Sequence, residues 1–231
     1  MKSVLLYSGG IDSFLARYEL AKQNIDVELV YCQIATRYGM YERMFLESRK
    51  IPITYLSGLY ALGSLEQDSA YLPNRNILIA SYVAAACDCD TIYIGGTASD
   101  RVSDNNQEVM ESLSKTLTMS LQRPITITSP FWNKYKTELC SEYVSDGNSA
   151  QDLSLNTFSC YTPEDINDDY CVECLNCKAC FRKNVALFSV GINKLIKNKV
   201  IVKSYMDEFK SCKNSPRKYW TLKYIEYLNA C

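Results

Sequence analysis

Two short stretches carry most of the chemistry that this chain can offer. The first is Tyr7-Ser8-Gly9-Gly10-Ile11-Asp12-Ser13, which follows an apolar run and precedes a helical pattern. A strand-to-helix turn presents free backbone N–H groups and the positive end of a helix dipole, so it is a ready place for an anion. Glycines let the backbone close on a phosphate chain, and the Ser8 and Ser13 hydroxyls can donate to its oxygens. Asp12 repels phosphate unless a magnesium ion stands between them, which makes it the candidate metal-linked residue. A plain glycine turn with Ser or Asp as a cap is the structural alternative.

The second stretch is Cys171-Val172-Glu173-Cys174-Leu175-Asn176-Cys177-Lys178-Ala179-Cys180, with Cys160 a loop's length upstream. Four cysteines at a three-residue period read as a metal site. The chain has no histidine, so a four-ligand zinc site here is all-cysteine, closed and structural. Five cysteines compete for four places, and spacing alone leaves Cys160 and Cys171 as alternatives. An iron–sulfur cluster is the rival occupant. Cys32, Cys87 and Cys140 read as isolated buried thiols.

The absence of histidine also removes Ser-His-Asp triads, Cys-His dyads and histidine bases at a stroke. Formal net charge is −1, from 25 Lys+Arg and 26 Asp+Glu, so any anion site is local. The opening apolar run, Val4 to Tyr7, is too short for a signal-peptide core, and no segment reaches the ~20 apolar residues of a membrane helix. Eleven cysteines without such a signal suit a reducing, cytoplasmic setting.

The elements that position these residues alternate. Strands are expected at 3–7, 27–33, 52–56, 91–94 and 125–127, and helices at 12–23, 38–50, 77–87, 105–121 and 134–144. That pattern predicts an α/β fold with a doubly wound parallel sheet. Domain boundaries are expected at 1–150 for the phosphate-binding domain and 151–231 for a cysteine-rich zinc segment with a helical appendage. Residues 191–231 hold nine Lys/Arg against three acids, a surplus of six (9 − 3), which reads as a solvated face or as an RNA footprint.

Ser8-Gly9-Gly10-Ile11-Asp12-Ser13 resembles the SGGxDS signature of the PP-loop ATP pyrophosphatases. It is neither a Walker loop nor a dinucleotide fingerprint. Together with the cysteines, the motif order resembles the 7-cyano-7-deazaguanine synthases of queuosine-precursor biosynthesis over about residues 3 to 188. The matching pieces are Pro73-Asn74-Arg75-Asn76, Gly95-Gly96 followed by Asp100, Ser129-Pro130, Lys136-Thr137-Glu138 and Thr157-Phe158-Ser159-Cys160-Tyr161.

The resemblance implies ATP, Mg2+ and Zn2+ as cofactors, with a deazapurine acid and ammonia as small-molecule partners. It implies Tyr7 to Ser13 as the ATP-binding turn and Cys160, Cys174, Cys177 and Cys180 as metal ligands, with Cys171 spare. Lys183 falls at a family arginine, and Ala186-Leu187 closes the motif. Catalytic roles fall to Asp12, Arg75, Lys136 and Asp100. Arg75 reads as a bidentate phosphate partner or a surface ion pair, Lys136 has Lys134 as a neighbour of the same charge, and Asp100 reads as a substrate or metal contact or a helix cap.

Two family segments depart. The substrate segment reads Asp100-Arg101-Val102-Ser103-Asp104-Asn105-Asn106-Gln107, and another reads Gln33-Ile34-Ala35-Thr36-Arg37-Tyr38. A PP-loop tRNA-thiolating enzyme, another adenylating enzyme and a nucleotide-binding module are therefore the alternative readings. A homodimer is compatible with the sequence, a membrane partner is not expected, and nucleic acid is disfavoured.

Overall fold

A computed structural model describes residues 2–231 apart from Arg101, Glu164, Asp165, Asp168, Asp169 and Ser211, with 166, 167, 170 and 171 described by backbone alone. Two compact units emerge, Met1–Asn133 and Lys134–Cys231. The boundary expected after residue 150 falls at the first turn of a helix inside the second unit.

The first unit is a five-stranded sheet: β1 (Ser3–Leu6), β2 (Glu28–Cys32), β3 (Thr54–Leu56), β4 (Thr91–Tyr93) and β5 (Thr126–Thr128). All pairings are parallel, in the order β3-β2-β1-β4-β5. Helices α1 (Ile11–Lys22), α2 (Gly39–Ser48), α3 (Arg75–Ala86) and α4 (Gln107–Leu121) make the crossovers, with a 3-10 turn at Tyr60–Leu65. Successive strand side chains face opposite ways, yet Val4 and Leu5 are both 0% exposed, so both sheet faces are covered. Val4, Val30 and Ile92 meet Ala80, Val83 and Met110 in one core. The doubly wound α/β fold expected from sequence is the fold observed.

Strand order reverses between β1 and β4. Crevices at such points, outside the carboxyl ends of the strands, are where folds of this kind take ligands. The glycine turn leaves β1 at this edge and Gly95-Gly96 leaves β4 beside it.

The second unit holds α5 (Lys136–Ser145), α6 (Ala150–Leu155), a β6 (Ile166–Asn167)–β7 (Tyr170–Cys171) ribbon, α7 (Lys178–Phe188), α8 (Lys199–Lys210) and α9 (Pro216–Ala230). Helix α7 is its centre, packed by α5, α6, α8 and α9. Phe181 stacks on Tyr205 with centroids 4.3 Å apart and meets Tyr224 at 5.6 Å. Phe188 meets Trp220 and Tyr227. Ser215 caps α9 by accepting from Lys218 N–H at 3.2 Å, and Pro216 occupies the first turn. The appendage is helical as expected. The hydrophobic centre that it shares with the cysteine helix was not legible in the spacing. No described helix is long and apolar enough to cross a membrane.

Arg123 closes the end of α3: its guanidinium donates to the carbonyls of Ala84 and Cys87, which the helix end leaves without intrahelical partners, and to that of Cys89 in the loop that follows. Replacing Arg123 by Met is expected to lower the unfolding free energy by about 2 kcal/mol, read as a lower urea midpoint at unchanged slope.

Candidate functional site

The turn after β1 is built for a close visitor. Gly9 takes φ +74°, where a side chain would be strained and would meet Leu46 and Phe45 at 2.9 and 3.0 Å. Gly10 is the N-cap of α1 and brings no capping side chain, so the amides of the first turn keep their dipole outward. Ser13 Oγ donates to the Gly10 carbonyl at 3.0 Å, and Gly10 N–H reaches Ser8 Oγ at 3.4 Å. The Tyr7, Ile11 and Ser13 side chains are buried, so the loop offers an anion mainly its backbone and Ser8. Asp12 opens α1 with its Oδ1 shielded from solvent. A Cβ on Gly95 would stand 3.0 Å from Asp12, so glycine there lets β4's exit lie against this first turn.

Around this turn the loops of the carboxyl edge are fastened together. Asp100 Oδ2 accepts from Thr97 N–H at 2.9 Å and from Asn105 Nδ2 at 3.0 Å, so one of its oxygens holds its own loop. Asp104, 2% exposed, accepts from Asn76 N–H at 2.9 Å and Nδ2 at 3.2 Å and ties that loop to the start of α3 beside Arg75. Ser129 Oγ donates to the Gly96 carbonyl at 2.6 Å. Arg37 grips the 66–68 segment through Glu66 at 2.9 Å and the Gln67 carbonyl at 2.9 Å.

Next to the loop lies a group that the sequence reading did not single out. Arg75 donates to the Tyr38 hydroxyl at 2.6 Å, and the Tyr31 hydroxyl lies 3.0 Å from the Gly39 carbonyl and 3.2 Å from Glu42 Oε2. Burial pushes the Glu42 carboxyl up to about 7, against the opposing pull of Arg75 and the Tyr31 hydrogen bond. Burial, with Glu42 beside it, also raises the Tyr31 hydroxyl. The signal in the sequence was an acid on the apolar side of a helix, since Tyr38, Glu42, Phe45 and Leu46 follow an i, i+4, i+7, i+8 spacing.

In the second unit, the sulfurs of Cys160, Cys174, Cys177 and Cys180 all lie within 4.8 Å of one another, with Cys174 and Cys180 3.9 Å apart. A tetrahedral zinc with Zn–S near 2.3 Å sets its sulfurs about 3.8 Å apart, and a cubane cluster with thiolates on four separate irons needs a wider cage. The donor set and its spacing fit a single metal ion. Backbone N–H groups of Cys174, Asn176 and Cys180 point to the sulfurs of Cys160, Cys174 and Cys177 at 3.3, 3.3 and 3.5 Å, an arrangement that orients and stabilises thiolates. Leu175 adopts φ +50° to make this knuckle.

Beneath them the Lys183 ammonium, 1% exposed, donates to the Thr157 carbonyl at 2.6 Å and to Glu173 Oε1 at 2.9 Å. Glu173 also accepts from Ser159 N–H at 2.8 Å, so this pair binds the Cys160 segment to the other three ligands. Burial lowers the Lys183 pKa and Glu173 opposes it. The Cys171 side chain, the alternative ligand, lies outside the described residues.

Lys136 is the first residue of α5 in the second unit, while Asp12, Arg75 and Asp100 all stand at the carboxyl edge of the first. The family model described as queuosine biosynthesis protein QueC matches residues 58–191, which include Arg75, Asp100, Lys136 and the four clustered cysteines. The chain belongs to this family. A QueC relative from Marinomonas sp. (strain MWYL1), named 7-cyano-7-deazaguanine synthase, is 22% identical over 220 residues, covering 82% of this chain and 94% of its own. One from Methanococcus vannielii, of the same name, is 25% identical over 228 residues, covering 83% and 96%. A solved structure titled as a predicted subunit of tRNA methyltransferase from Methanocaldococcus jannaschii is 14% identical with a TM-score of 0.42 over 64% of this chain and 90% of its own, a likeness too loose to bear on function.

Cys177→Ser is expected to abolish stoichiometric metal binding, measured by elemental analysis, and to lower Tm by about 10 °C or more, because ligation and folding of α7 are linked. Glu42 has a raised folded-state pKa, so its contribution to stability is present below its ordinary value of 4.5 and is lost as pH rises through about 7. Glu42→Gln removes that slope, and its stability relative to wild type is expected to improve by on the order of 2 kcal/mol between pH 5 and 8 in paired denaturation curves.

Proposed function

We propose that this chain is an ATP-dependent synthase that converts 7-carboxy-7-deazaguanine and ammonia into 7-cyano-7-deazaguanine. The observation that carries the reading is the SGGIDS turn, placed at the strand-order reversal with a positive-φ glycine and an N-cap that brings no side chain. Membership of the QueC family and the names of the relatives support the same chemistry.

The substrate carboxylate attacks the α-phosphorus of ATP, forming an acyl-adenylate as pyrophosphate leaves. Ammonia displaces AMP to give the amide. The amide oxygen then attacks the α-phosphorus of a second ATP as a second pyrophosphate leaves, and loss of AMP and two protons leaves the nitrile. The demand on the protein is to hold a leaving pyrophosphate and stabilise its growing charge. The first-turn amides of α1 and the Ser8 hydroxyl do so by donating hydrogen bonds. Asp12 would hold Mg2+, whose charge neutralises phosphate oxygens. Arg75 offers a fork-shaped cation at the same edge, and its bond to Tyr38 fixes where it points.

Zn2+ is the proposed occupant of the four-cysteine cage, where it would be structural because all four positions are taken by sulfur. Asp100, with one oxygen engaged by Thr97 and Asn105, is proposed as a residue that shapes the substrate loop.

Purified protein given ATP, Mg2+, ammonium and the deazaguanine acid is expected to release AMP and pyrophosphate and to form the nitrile, followed by mass spectrometry. Formation of none of these would reject the synthase reading. Asp12→Asn is expected to lower the rate by about 100-fold or more while Tm stays within a few degrees of wild type.

A further inference from the structure

Glu42 has no part in the reaction as set out above, although it is an acid near the glycine turn whose surroundings perturb it. It lies on the face of α2 that bears Phe45 and Leu46, three and four residues further on. Those two side chains are the ones packed closest to Gly9. Its carboxyl is therefore about one helical turn from the side chains that cover the loop. The charged and titratable groups facing it are Tyr31 on β2, Tyr38 ahead of α2 and Arg75 at the start of α3.

The geometry around Tyr31 suits a carboxyl that changes its protonation state in place. The single hydroxyl proton has two acceptors within reach, the Gly39 carbonyl at 3.0 Å and Glu42 Oε2 at 3.2 Å. When Glu42 is ionised, Tyr31 donates to it. When Glu42 is protonated, the Tyr31 proton turns to Gly39 and the freed lone pair accepts from the carboxyl. One hydroxyl rotation satisfies both states, and no backbone need move.

We propose that Glu42 is the general base that takes the proton from ammonia as it attacks the acyl-adenylate, a catalytic role that rests on the synthase reading. In this step a C–N bond forms at the acyl carbon and the bond from that carbon to the phosphate oxygen of AMP breaks. AMP leaves with the electron pair, and one proton from the nitrogen passes to the Glu42 carboxylate. Two protons remain on the nitrogen: the first goes to solvent as the adenylated amide becomes a neutral imidate ester, and Glu42, having itself released its earlier proton to solvent, takes the second as AMP departs with the electron pair of the C–O bond and the C≡N bond is completed. Neither step needs an oxidant or reductant. The chain has no histidine to do this work. Burial sets Glu42 at about 7, where a base is both partly ionised and strong enough near neutrality.

Adenylation and amide formation can be read separately. Acid-dependent exchange of labelled pyrophosphate into ATP reports the first step, which needs no base, and amide and nitrile yield report the later ones. Glu42→Gln is expected to keep exchange within about threefold of wild type while amide formation falls by about 100-fold or more. With free NH3 held constant across the series, it is also expected to lose the rise in amide-forming rate that wild type shows as pH passes through neutrality. Glu42→Asp keeps a carboxyl and is expected to retain that rise at a reduced rate. Equal loss of exchange and amide formation in Glu42→Gln, or an unchanged pH profile in it, would overturn the role. Should Glu42→Gln not fold, Glu42→Asp decides, and a flat profile there is equally fatal. Wild-type protein without acid-dependent exchange would overturn the synthase reading itself, and the base with it.

Discussion

Parallel pairing of β1 with β2 on one side and β4 on the other is the constraint on which the first unit depends. It brings the exits of neighbouring strands to one edge, so that residues far apart in sequence share a crevice. The glycine turn, the 33–38 segment and the 95–105 loop gather there because their strands are in register. Small residues then set how closely the pieces approach: Gly95 admits the first turn of α1, and Gly96 admits the Trp132 ring. Buried polar groups hold the loops that result, with Asp104 fastening one of them to the start of α3. Apolar burial supplies the cohesion, and these few hydrogen bonds supply the placement.

The second unit follows a different logic. Helix α7 presents Cys180 to the four-cysteine cage and, at the next residue, Phe181 to the aromatic core formed with Tyr205 and Tyr224. Cage and core thus share one helix, and the buried Lys183–Glu173 pair joins the Cys160 segment to it. Breaking such a pair on one side leaves an uncompensated charge in the interior, which makes it a strong constraint on how the ligand segments meet.

Much of this was legible in the residues. Strand and helix alternation gave the fold because hydrophobic period and glycine turns act locally, and the ends of β1, β4 and α4 differ from expectation by only a residue or two. The cysteine period announced a thiol cluster that could hold a metal, because ligand chemistry has few alternatives, while Cys160 as its fourth member followed from the resemblance and not from the spacing. What stayed hidden depends on long-range neighbours. Nothing local to Glu42 says that Tyr31 and Arg75 will enclose it, and nothing local to Asp104 says that it will reach Asn76. Helix α7 was obscured because its cysteines drew attention to ligation and away from the apolar face at Phe181, Val185 and Phe188. The resemblance placed Lys183 at an arginine, but its burial against Glu173 emerges only once the 157–160 and 173–183 segments are side by side.

The chain contains two tryptophans, and each unit holds one of them. Trp132 lies against Gly96 at the carboxyl edge of the sheet, and Trp220 meets Phe188 and Tyr219 among the helices around α7. Replacing either indole by phenylalanine leaves an intrinsic fluorophore in the other unit alone. Emission from Trp132 then follows events at the crevice, and emission from Trp220 follows the helices that share α7 with the cysteines, so the two halves of the molecule can be watched separately in the same cuvette without any attached dye.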